Sequence, residues 1–214
     1  MGSFFNMDSP VMRFLSRLCD LMILNILCLI CCIPIVTIGA SITALYSVTL
    51  KMVKGEDSYI AKGFFKGFRQ NFKISTIIWL ILLVIGALLA FDFRAANMLP
   101  ASFQNIFRVL VGAFITFYIL LFSYIFPYIA RFENTVKQTL KNGFLLMVRH
   151  LPWALLLLVI LIVSALSIYI IPILLVIIPA VVSLVFDFIL ERLFRRYMSP
   201  EDLEREKEND MYAS

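Results

Sequence analysis

Apolar residues fall along this chain in long unbroken blocks, and polar residues gather in the gaps between them. The first block, 21–53, holds about 33 residues, more than the roughly 20 that one membrane-crossing helix needs. Pro34 and Gly39 interrupt it. Proline removes a helix donor and disfavours helix in the residue before it, which predicts a break near 33–37. Residues 75–91 form a second block, with Trp79 near one end, and Asp92 and Arg94 close it. A third runs from about 106 to 129. Beyond Trp153 come two more, separated at Ile171 and Pro172. Residues 1–20 read as an interfacial segment, retained because no small-residue cleavage site follows.

The pattern predicts an all-α polytopic transmembrane bundle. If the first block is a hairpin the chain has six spans. The alternative is five, with a re-entrant or interfacial segment after Pro34. Either way Gly39, Ala40, Ser41, Thr43 and Ala44 offer a small-residue surface for close helix packing. Residues 1–198 read as one membrane domain and 199–214 as a short charged cytoplasmic tail.

Composition agrees: 62% of the 214 residues are hydrophobic and 15% charged, against about 45–50% and about 25% in soluble domains. Mean hydropathy is +0.95. Charge then fixes orientation. Segment 51–73 carries six of the nineteen Lys and Arg residues: Lys51, Lys54, Lys62, Lys66, Arg69 and Lys73. Segment 131–152 carries Arg131, Lys137, Lys141 and Arg149. Basic residues flanking spans mark the cytoplasmic side. Six spans put both termini and both basic loops there, leaving only Arg94 and Arg108 outside, so seventeen cations lie inside; five spans leave fifteen. The net charge of +5 then points to anionic lipid and not to nucleic acid. The expected location is a bacterial cytoplasmic membrane.

The two basic segments share the pattern GFxxxxR, at Gly63, Phe64 and Arg69 and again at Gly143, Phe144 and Arg149, each ahead of an apolar span. Either the chain repeats one unit, or both segments met the same interfacial demand for aromatic and basic residues.

Leu24-Asn25, the run IPIVTIGAS at 33–41, Thr43-Ala44-Leu45-Tyr46 and the stretch from Gly55-Glu56 to Asn71-Phe72 closely resemble the YesL-like family of small bacterial membrane proteins, and RFENTVKQTLKNGFLL at 131–146 is also similar to it. The resemblance implies an integral membrane protein, common in Gram-positive bacteria and typically encoded near carbohydrate-import ABC transporters. It brings no catalytic residues.

The residues themselves carry little catalytic chemistry. Cys28, Cys31 and Cys32 form CxxCC inside an apolar block, where cysteine acts as a small hydrophobe, and the lone His150 lacks paired ligands. No Gly-rich phosphate loop, HExxH or GxSxG occurs. The expectation is a non-enzyme with no metal and no cofactor. Ionisable or amide groups at membrane depth are the better candidates: Asp20 and Asn25 in the first turns of the first span, and Asp187 and Glu191, four apart near the end of the last, with Arg192, Arg195 and Arg196 close enough to neutralise them.

The functional expectation is a non-catalytic accessory or assembly factor for a carbohydrate ABC importer, gripping its partner through loops 51–73 and 131–152, with Gly63, Phe64, Phe68, Arg69, Glu133, Gly143, Phe144 and Arg149 as contacts. The alternative is a permease-like transport subunit. Its loop 133–152 loosely resembles an ATPase-coupling element, although Glu133 and Gly143 are ten residues apart where about six is usual. An intramembrane enzyme ranks last.

Overall fold

The computed structural model describes residues 10–55, 59–98, 100–198 and 204. Among the described residues seven α-helices of two turns or more follow one another: α1 Pro10–Cys31, α2 Ile38–Lys54, α3 Ile60–Ala95, α4 Ala101–Arg131, α5 Val136–Arg149, α6 Leu151–Ile170 and α7 Ile178–Phe194. Short 3-10 turns occupy Ile35–Thr37, Ala96–Met98, Pro172–Val176 and Arg195–Tyr197. No strand occurs among the described residues.

Both proline-directed breaks are present. Helix stops at Cys31 and restarts at Ile38 across Pro34, and stops at Ile170 and restarts at Ile178 across Pro172. Breaks in a lipid setting leave backbone carbonyls that must find donors. At the first, Thr37 Oγ1 lies 2.6 Å from Cys31 O and 2.8 Å from Pro34 O, and Trp79 Nε1 donates to Ile35 O at 2.7 Å. At the second, Asn25 Nδ2 donates to Leu175 O at 2.7 Å.

Helix α2 sits at the centre, touching α1, α3, α4 and α7. The small-residue surface explains this. All five of Gly39, Ala40, Ser41, Thr43 and Ala44 are buried. A Cβ on Gly39 would stand 2.5 Å from Trp79 Cβ and 2.6 Å from Ser75 O, so only glycine lets α3 approach that closely. Ser75 Oγ then donates to Thr43 Oγ1 at 2.8 Å across the same seam.

The outer surface is apolar. Val84, Leu88, Val109, Phe114, Val159, Val163 and Leu166 are all exposed, and soluble monomers rarely leave so much apolar area in water. Among the described residues four segments are long and apolar enough to cross a membrane: Ile35–Lys54, Ile60–Met98, Phe103–Arg131 and Leu151–Ile170. This is a membrane-type helical protein. Helix α7 has 17 residues and carries Asp187, Glu191 and Arg192, which keeps it outside that set.

Several expected boundaries move. The first helix begins at Pro10, well before Leu21, so Asp20 and Asn25 lie in its middle and not in its first turns. The third helix runs through Asp92 and Arg94 to Ala95. Neither basic segment is a loop. In 51–73, α2 continues to Lys54, ends on Gly55 in the left-handed conformation (φ 79°), and α3 starts at Ile60. No proline lies between Ile60 and Ala95, so nothing stops that helix, whose 36 residues reach about 54 Å at about 1.5 Å each, against a hydrocarbon core of about 30 Å. In 131–152, Thr135 and Gln138 form a capping box that starts α5, with Gln138 N donating to Thr135 Oγ1 and Thr135 N to Gln138 Oε1. Residues 1–9, Glu56, Asp57 and the tail 199–214 lie outside the described residues, Glu204 excepted.

Candidate functional site

The ends of α2, α4 and α7 meet at one end of the bundle, where α3 and α6 also begin. This is the end rich in Lys and Arg. Two carboxylates are buried there. Asp187 is 1% exposed and Glu191 5%, one helical turn further along α7. Their partners differ. Arg131, the last residue of α4, reaches Glu191 with Nε 3.1 Å from Oε2 and Nη2 3.2 Å from Oε1. Arg195 Nε donates to Glu191 Oε1 at 3.0 Å from the following turn. Two guanidinium groups thus share one carboxylate. Asp187 takes instead the hydroxyl of Thr49, with Thr49 Oγ1 donating to Oδ2 at 2.5 Å.

A buried carboxylate needs such partners because its desolvation costs several kcal/mol, and removing one partner of a buried pair is costlier than never having built it. The cluster therefore ties the ends of α2, α4 and α7 together. Of the expected neutralisers only Arg195 engages Glu191 among the described contacts; Arg192 lies over the Phe188 ring at 4.6 Å, and Arg196 is exposed. Arg131 and Thr49 carry the load in their place. Sixty residues separate Arg131 from Glu191 and 138 separate Thr49 from Asp187, so no spacing rule could pair them. The one available signal was charge balance.

The remaining candidates scatter. Asn25 is fully buried and serves the Leu175 carbonyl at the opposite end of the bundle, while its Oδ1 meets no partner among the described residues. Asp20 is half-buried on α1. Phe64 is fully buried among Leu24, Val48 and Ala180, and Gly143 is buried with Ile125 Cγ1 3.2 Å from where its Cβ would be; both face the interior, not a partner. Gly63 and Phe68 are half-buried. Arg69, Glu133, Phe144 and Arg149 are exposed, Arg149 lying over the Tyr197 ring at 5.4 Å.

Helix α5 crosses α4, with Asn142 Nδ2 donating to Tyr128 Oη at 2.9 Å and the Phe144 ring 5.6 Å from Phe117. Its last turn leads to His150, whose Nε2 shares a 2.7 Å hydrogen bond with Tyr197 Oη. Partial burial, then the charges of Arg149 and Arg196, push the His150 pKa below its ordinary value. The four cysteines are free thiols, and no group of three or more His, Cys, Asp and Glu among the described residues could hold a metal.

No curated protein and no solved structure matches the chain. Residues 21–93 match a family described only as a protein of unknown function, DUF624, in keeping with the resemblance carried by the same stretch.

Proposed function

We propose that this chain is a non-catalytic integral membrane accessory protein of a bacterial cytoplasmic membrane, crossing it six times with both termini inside, and that it contacts a carbohydrate ABC importer through 51–73 and 131–152. One observation carries the docking part. Lys62, Lys66, Arg69 and Lys73 on the first half of α3 and Lys137, Lys141 and Arg149 on α5 are all exposed, beside exposed Phe65, Phe72 and Phe144. Such a surface sets Arg69 and Arg149 near exposed aromatic rings, residue types enriched where proteins bind partners, and its lysines add the positive field that steers an acidic partner. The importer part rests on the family resemblance, and the six spans on the charge asymmetry together with α1 and α7.

The test is affinity purification of the tagged full chain from native membranes. Importer subunits in the eluate would support the reading. A protein that reproducibly elutes alone would sink it. A second reading, a transport subunit that engages an ATPase, is favoured by α5 being a short helix lying between α4 and α6 at the basic end. Phe144→Ala separates the two, because it removes an exposed ring without the crowding that Gly143→Ala would cause against Ile125. Loss of the ATPase subunit alone, with the other importer subunits retained, would favour the second reading; loss of all of them together would favour the first.

A further inference from the structure

The break between α1 and α2 carries three of the four cysteines, and the fold pairs two of them that the CxxC spacing does not. Cys28 is 6% exposed and packs in the core with Leu24, Leu45 and Val48. Cys31 and Cys32 are half-buried beside it. Helix α1 ends at Cys31, and Cys32 N donates to Cys28 O at 2.9 Å. That bond sets Cys32 one turn beyond Cys28, on the same face. The two thiols hydrogen-bond to each other, and the Ser41 hydroxyl in the first turn of α2 bonds to Cys32.

A core in need of a small apolar side chain accounts for Cys28. It asks nothing of Cys32, which is half-exposed, bonded back onto Cys28 and met by a hydroxyl. What such a pair can hold follows from its spacing. Residues four apart on a helix keep their Cβ atoms about 5–6 Å apart, wider than the roughly 3.5–4.5 Å across a disulfide. An ion between the sulfurs adds two metal–sulfur bonds of about 2.3 Å each and suits the wider gap. Among the described residues no third His, Cys, Asp or Glu joins the pair to hold a metal, which disfavours zinc, whose structural sites take four ligands. A soft ion satisfied by two thiolates fits, and thiolates select Cu(I).

The local charges agree. Binding a monovalent ion releases both thiol protons to water and leaves one net negative charge at the site. The first turn of α2, the positive end of its dipole, lies beside it. The nearest α1 carbonyls, Cys28 O and Cys31 O, already accept from Cys32 N and Thr37 Oγ1 and so face the site less.

We infer that Cys28 and Cys32 form a two-thiolate site for a soft monovalent ion of the copper(I) class.

The test uses the purified full chain in a non-ionic detergent, reduced and kept free of oxygen, titrated with Cu(I) against a competing chelator. Native mass spectrometry should count one ion per chain. Cys28→Ser and Cys32→Ser should each raise the apparent Kd by more than the about 10–100-fold that losing an outer-shell partner costs, whereas Cys19→Ser and Cys31→Ser should leave it unchanged. Alkylation with N-ethylmaleimide reads the pair in the unaltered protein, which covers a variant that fails to fold. Bound Cu(I) should block labelling of Cys32 and leave that of the exposed Cys19 unchanged. Absence of binding at one equivalent would overturn the inference, as would weakening by Cys31→Ser as large as by Cys32→Ser, or a bound ion that leaves Cys32 open to the label.

Discussion

Phe64 and Phe144 hold the same place in the pattern GFxxxxR, yet Phe64 is fully buried and Phe144 is 42% exposed. In the first copy the pattern opens α3, the chain runs on as one helix to Ala95, and the Phe64 ring packs beside Phe68 against α1 and α2. In the second copy the pattern closes α5, and the helix stops at His150 before Pro152 opens α6. The glycines differ too: Gly63 lies in the first turn of its helix, Gly143 in the second half of its own, against Ile125. Shared letters therefore mark a shared demand, aromatic and basic residues where chain meets headgroups, and not a shared packing. What separates the copies is one proline and the neighbours each helix finds.

That contrast can be broken most sharply at the aromatic ring. Phe64→Ala should cost about 3–5 kcal/mol, the range for emptying a buried aromatic site, whereas Phe144→Ala should stay within about 1 kcal/mol, as exposed substitutions do. Thermal melts of both variants in one detergent check this, and equal losses would mean the two positions are not differently packed. Transplanting the break comes next. Phe72 stands where Pro152 stands in the second copy, and Phe72→Pro should cost about 3 kcal/mol by removing a hydrogen bond and forcing a kink in α3. Circular dichroism and a lowered melting temperature would report it; an unchanged melt would show that α3 does not need to be continuous.

A smaller effect isolates the start of α5. Thr135→Ala removes the capping hydroxyl and should cost about 1 kcal/mol, seen as faster amide exchange over Val136–Arg149 with α3 unaffected. Smallest is the effect of pH at the break between α5 and α6. The folded His150 binds its proton less readily than the unfolded chain, so stability is full above the ordinary histidine pKa and declines as pH falls through it toward the lowered folded value. A shallow acid-side loss of stability that vanishes in His150→Gln would confirm it, and an identical pH profile in that variant would refute it.

Much of the fold is legible in the sequence. Pro34, Pro172 and the small residues of 39–44 act locally, through a missing N–H and a missing side chain, and local causes can be read one segment at a time. The helical character of the two basic segments was legible in part. Thr135 followed by Gln138 ahead of an apolar run is a capping-box signature, and it marks α5 as a helix although a dense run of polar residues there reads as a connector. The lengthened α1 and α3 were less accessible, because a polar turn at a membrane surface can remain helical when it packs on neighbours, as Gly67 does against Ser47. The candidate site divides the same way. Glu191 with Arg195 is a one-turn pair that spacing reveals. Arg131 with Glu191 and Thr49 with Asp187 depend on which helices become neighbours, and one chain's sequence does not contain that.

The donors supplied by Trp79 and Asn25 bear on where this molecule can change shape. Each comes from a helix distant in sequence and closes on a carbonyl in the short 3-10 turn that follows a proline break, one at Ile35 and one at Leu175. Prying that end apart would break both hydrogen bonds and leave two acceptors without the donors that now close them. The two prolines that look like hinges are thus latched shut. At the other pole the buried Arg131–Glu191 and Thr49–Asp187 contacts hold α2, α4 and α7 in the same way, and only the exposed Arg195 lies where water can replace it.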